Sequence, residues 1–163
     1  MGWFSNDLYA EIKPTITTHS IFEQANNNKI LNPTNNLNNP KDKPSPKDWI
    51  KKNQIKVHND KIILEIENAK WSSFADTKSM DPVLDSTAHG LHIIPKKQED
   101  INIGDIVAYE SKFTEGTILH RVIEIKADNE GLYYILKGDN NELADPEKVR
   151  FSQIKRILVA IIY

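Results

Sequence analysis

Hydrophobic and polar positions alternate over two short mid-chain stretches, and β-rich runs bounded by turn residues follow after residue 70, so both patterns predict strands, not helices. Gln54-Ile55-Lys56-Val57-His58 alternates, as does part of the stretch from Ile62 to Glu67. Asn59-Asp60 lies between them, which predicts a β-hairpin. Ile106-Val107-Ala108-Tyr109 follows a Gly104-Asp105 turn, and the stretch from Thr117 to Ile125 is rich in β-branched residues. Asn129-Glu130-Gly131 then separates it from Leu132-Tyr133-Tyr134-Ile135-Leu136, a second predicted hairpin. The chain closes on Ile157-Leu158-Val159-Ala160-Ile161-Ile162-Tyr163, seven residues that fit a buried strand. The expected fold is a mainly β domain over about residues 51–163.

The first third reads differently. Eight of the fourteen residues from Asn26 to Asn39 are asparagine, and prolines follow at Pro40, Pro44 and Pro46. Both residue types favour turns over regular elements, so residues 25–45 read as an irregular linker inside an N-terminal extension, residues 1–50. Pro14 and Thr15-Ile16-Thr17-Thr18 argue against one long helix over residues 4–24. Ser45-Pro46-Lys47-Asp48 carries a helix-start pattern, with Ser45 as N-cap and Pro46 in the first turn, and predicts a short helix ending near Lys52.

Composition narrows the function classes. The formal net charge of −2 gives no global attraction to nucleic acid or anionic membrane. With no cysteine, disulfides, thiolate metal sites and a cysteine nucleophile are excluded. No apolar run approaches the ~20 residues a membrane helix needs, and Met1-Gly2-Trp3-Phe4-Ser5-Asn6-Asp7 lacks a signal peptide's basic and apolar regions, so a cytoplasmic location is expected. His89 and His92 lie near Asp85, but Thr87-Ala88-His89-Gly90 reads as a loop without a third ligand. These histidines are therefore expected to be solvated, and no metal or cofactor is assigned. Lys96-Lys97-Gln98-Glu99-Asp100 reads as a solvated turn.

Four short patterns occur in order: Ser79-Met80-Asp81-Pro82, Gly104-Asp105-Ile106-Val107, His120-Arg121-Val122, and Lys137-Gly138-Asp139-Asn140-Asn141 leading to Asp145. Each has a plain reading by itself. Ser79 can be a turn serine, His120 a strand histidine, Gly138-Asp139-Asn140-Asn141 a loop, and Asp145-Pro146 the start of a turn. As a set they offer an alcohol, an imidazole and carboxylates on separate elements. A serine hydroxyl is a weak nucleophile near neutral pH and needs a base for its proton. An imidazole titrates in the right range. A carboxylate on its other nitrogen fixes the tautomer and stabilises the imidazolium. Ser79 and His120 are 41 positions apart, so only the fold can join them.

The ordered set resembles the catalytic domain of signal peptidase I serine proteases, in the branch found in archaea and the endoplasmic reticulum, over about residues 71–163. The resemblance implies a signal-peptidase-like, LexA-like β fold and a peptidase without cofactor. It maps the nucleophile to Ser79, the base to His120, the third member to Asp145 and a supporting acid to Asp139. Thr77 and the Ser79 N–H would form the oxyanion hole, and Met80, Pro82, Arg121, Gly138 and Asn140 complete the motifs. Pro82 is expected to hold Ser79 at the end of a strand, and Ala75 and Met80 to shape a pocket for a small side chain. The implied substrate is an extended polypeptide. Members of this family normally carry a membrane anchor, so work at a bilayer would require a membrane-anchored partner, with this chain peripheral. Lys78 stands where the family often has glycine. Two further readings stand beside it: a non-catalytic peptide-binding or assembly module on the same fold, and a LexA-type autoprotease, which would use lysine where this chain has His120. The residues set no oligomeric state.

Overall fold

The computed structural model describes residues 43–163. The expected irregular linker at 25–45 lies almost entirely outside the described residues. Asp42–Tyr163 form a compact unit that is mainly β. Among the described residues there is no α-helix, only short 3-10 turns. A small antiparallel sheet pairs β1 (Ile55–Val57) with β2 (Ile62–Leu64), as the alternation there predicts.

A six-stranded antiparallel sheet makes the body of the unit. Its strands are β3 (Lys70–Ser73), β4 (His89–Ile93), β5 (Ile106–Glu110), β6 (Thr117–Asp128), β7 (Gly131–Lys137) and β8 (Ile154–Ile162). The order across the sheet is β3-β4-β8-β5-β6-β7. The C-terminal strand thus slots between β4 and β5 and is paired along both edges. The turn at Asn129-Glu130 closes the β6–β7 hairpin, with Gly131 at φ 105°, a left-handed conformation that glycine adopts at no steric cost.

The sheet buries side chains on both faces. One cluster gathers Val107, Tyr109, Val122, Tyr134, Leu136 and Ile157. The other gathers Met80, Leu84, Ile106 and Leu158, with Phe74 and Leu119 against it. The segment after the candidate serine therefore forms a lid on the second face.

Two local expectations are corrected. No helix forms over residues 45–52. The segment runs extended, and its donors go to Asp105: Lys47 N and Trp49 Nε1 both reach Asp105 Oδ1, at 3.0 and 2.9 Å. Asp105 is fully buried, so it outbids an N-cap at Ser45. A 3-10 turn, Lys52–Gln54, is all the helical structure that follows. The loop expected at Thr87–Gly90 is also partly strand, since His89 opens β4. Gly90 belongs there because a Cβ would come within 2.6 Å of Phe74 and 2.7 Å of Leu158. The residue read as a loop marker is instead a close-packing glycine.

Candidate active site

His120 lies where β6 changes neighbours. Residues 117–120 pair with β5 alone, and pairing with β7 begins at Arg121, opposite Lys137. The far edge of β6 is therefore open at His120. In the β5–β6 register His120 faces Val107, so its root lies on the Tyr109 side of the sheet. Leu119, the next residue, packs on the Met80 side.

The imidazole is 7% exposed and is held by Asp145. His120 Nδ1 lies 2.9 Å from Asp145 Oδ1 and 2.8 Å from Oδ2. Asp145 also accepts from Tyr109 OH at 2.8 Å. Burial, and then this carboxylate, raise the Tyr109 phenol above its ordinary range, so it stays a donor. Asp145 is fixed by its own backbone, since its N–H donates to Leu136 O at 2.8 Å. The arrangement assigns Nδ1 to the carboxylate and leaves Nε2 for other chemistry.

Ser79 lies in the loop between β3 and β4, not at the end of a strand as Pro82 was expected to hold it. The chain turns over Met80, whose carbonyl accepts from Val83 N and Leu84 N, and the Asp81–Pro82 bond is cis. Ser79 Oγ is 3.1 Å from Thr77 Oγ1. Lys78 between them has φ 60°, in the left-handed region. That accounts for glycine being favoured at such a position.

The loop after β7 grips this turn. Asn140 N donates to Ser79 O at 2.9 Å, and Asn140 Nδ2 to Lys78 O at 3.0 Å. A Cβ on Gly138 would stand 2.5 Å from Ser79 O. Asp139 N reaches Met80 Sδ at 3.3 Å. The motif residues Met80, Gly138 and Asn140 thus position the Ser79 backbone.

Asp139 engages a different partner from Asp145. Its carboxylate takes Arg121 in a two-point grip, Nε to Oδ1 at 2.8 Å and Nη2 to Oδ2 at 2.6 Å. Arg121 Nη1 also donates to Gly104 O and Pro44 O, at 2.8 and 3.2 Å. Both side chains are buried. Asp139 therefore supports the loop and the Gly104 turn, while Asp145 holds the histidine.

Ser79 and His120 line one cleft of about 840 Å³, together with Thr77, Ala75 and Met80. Sequence reasoning missed a second pair on its wall: Ser72 Oγ lies 2.7 Å from His92 Nε2. His92 is 3% exposed, and its Nδ1 is buried without a partner among the described residues. Burial, with the Arg156 charge adding to it, lowers its pKa to about 4. His89 is engaged separately, stacked on Trp71 at 5.1 Å. The expectation of two solvated histidines is thus corrected, because β4 carries both into the sheet. A period-two pattern through Gly90 is the only signal that would have revealed them. Among the described residues no group of side chains is disposed to hold a metal ion, and no helix is long and apolar enough to cross a membrane.

Comparison with known proteins adds little. The chain is 43% identical over 44 residues to the uncharacterized protein MJ0260 of Methanocaldococcus jannaschii. That match covers 27% of this chain and 22% of the relative, so it spans less than a quarter of the relative's length. No family model matches the chain. No solved structure matches it.

Proposed function

We propose that the chain is a serine endopeptidase of the signal peptidase I type, working on an extended polypeptide segment. The observation that carries this reading is a carboxylate-held imidazole, His120 on Asp145, lining the same cleft as Ser79. The open edge of β6 at residues 117–120 supports it, because an unpaired edge beside the nucleophile can bind substrate as an added strand. Ala75 and Met80 line that cleft, as a pocket for a small side chain requires.

In this reading Ser79 Oγ turns from Thr77 towards His120 Nε2, which takes the hydroxyl proton as Oγ attacks the scissile carbonyl. Asp145 stabilises the imidazolium that results. The tetrahedral oxyanion is received by the Ser79 N–H and the Thr77 hydroxyl, which lies beside it. His120 then gives its proton to the departing amine, leaving an acyl-Ser79 ester, and water releases the acyl group by the same route in reverse. The test is cleavage of an extended-peptide library by the full chain. Ser79→Ala and His120→Ala should each abolish it, by several orders of magnitude in kcat. Equal residual cleavage by both variants removes this site from the reaction.

A further inference from the structure

One charged side chain of the cleft is unaccounted for by the peptidase chemistry. Arg156, on β8, pairs across the sheet with Ala108, which pairs in turn with Leu119, the neighbour of His120. Arg156 is thus two strand spacings, about 10 Å, from the β6 edge. It shares a face with Leu158, against which Met80 packs. It therefore lies under the Ser79 turn, on the same wall as Ser72 and His92.

Its surroundings leave its charge uncompensated. Glu110 and Lys155, also on the cleft, neutralise each other at 2.8 Å. Arg156 is half-buried, and among the described residues it has no carboxylate or hydrogen-bond partner. A guanidinium in a concave, partly dehydrated wall concentrates positive potential there. Its planar fork matches a carboxylate in two-point geometry. Burial first, and then the Arg156 charge, oppose protonation of His92 on the same wall.

We propose that Arg156 makes this cleft a carboxylate-reading site, so that the polypeptide it prefers carries an acidic side chain or a free C-terminus near the segment bound beside Ser79. This rests on the peptidase reading for the nature of the ligand. The shared chemistry is a carboxylate, and the two sources are separable by experiment.

The test uses the full-length chain carrying Ser79→Ala, so that binding is measured without turnover. The probes are alanine-rich decapeptides with one glutamate walked along the sequence, their glutamine and lysine counterparts, and each peptide with a free or an amidated C-terminus. A glutamate at the preferred position, or the free terminus, should tighten binding about tenfold over its neutral counterpart at low salt. Arg156→Gln should erase that ratio. Arg156→Glu should invert it in favour of lysine peptides, an outcome that a misfolded variant would not produce. The same ratio in the parent and in Arg156→Gln overturns the inference, as does no ratio or no peptide binding in the parent. Labelling of Ser79 by an uncharged fluorophosphonate in the otherwise unchanged chain reports separately on catalysis. A labelled serine with no carboxylate preference defeats this inference alone. An unlabelled serine with the preference intact defeats the peptidase reading alone.

Discussion

The cleft holds two serine–histidine pairs that differ in what completes them. At one end His120 has a carboxylate on Nδ1, while Ser79 leans on Thr77. At the other, Ser72 already touches His92, yet Nδ1 of that ring is buried without a partner among the described residues. Under the proposed peptidase reading, a short serine–histidine contact by itself would select Ser72 and His92 instead of Ser79 and His120. A base in acyl transfer must accept a proton and be stabilised once charged. Asp145 provides that stabilisation for His120, whereas burial and the Arg156 charge oppose any charge on His92. The difference teaches that the group behind the imidazole identifies the base better than the group in front of it.

The largest effects should separate the two ends. His120→Ala is expected to abolish peptide cleavage, while Ser72→Ala leaves kcat within a few-fold of the parent. Comparable losses in both variants, in a steady-state assay on one peptide, would break the comparison. Asp145→Asn should lower kcat by about 10⁴ by losing control of the histidine tautomer, as in other triads. Its thermal midpoint should fall far less than that of Asp139→Asn, which leaves Arg121 buried without its partner at a cost of about 3–5 kcal/mol. Calorimetry of the two variants therefore distinguishes the carboxylate that holds His120 from the one that holds Arg121.

Acid titration probes the other end. The folded-state pKa of His92, about 4, lies below the ordinary 6.5. The unfolded chain takes up this proton first as pH falls, so the stability contribution is complete above about 6.5 and is lost progressively towards 4. Urea midpoints should decline over that window, and His92→Gln should flatten the decline. An unchanged slope in the variant would remove His92 as its source. The smallest effect is at Lys78. Relieving a left-handed non-glycine residue gains about 1–2 kcal/mol, and glycine's backbone entropy takes back roughly half. Lys78→Gly should therefore raise the unfolding free energy from urea titration by less than about 1 kcal/mol, and a drop would show that the lysine makes compensating contacts.

Much of the architecture was legible because its signals are local. Alternation predicted the β1–β2 hairpin, β-rich runs around a turn predicted the β6–β7 hairpin, and the terminal apolar run predicted a strand, which is buried at Ile157 and Leu158 and exposed at its end. The failures share one cause. Asp105 draws the donors of residues 47 and 49 from 56–58 positions away, so a locally plausible helix never forms. Gly90 is dictated by Phe74 and Leu158, which no window around residue 90 contains.

The order of motifs along the chain was enough to nominate Ser79, His120 and Asp145 and to set a mainly β class, since residue types and strand periodicity are written locally. Only the tertiary structure decided which of two aspartates meets the histidine and which meets Arg121. It alone brought Ser72 to His92 and left Arg156 on the cleft wall without a partner among the described residues. Those outcomes depend on strand register and on a C-terminal strand inserted at the centre of the sheet, and neither is encoded in any short stretch of sequence.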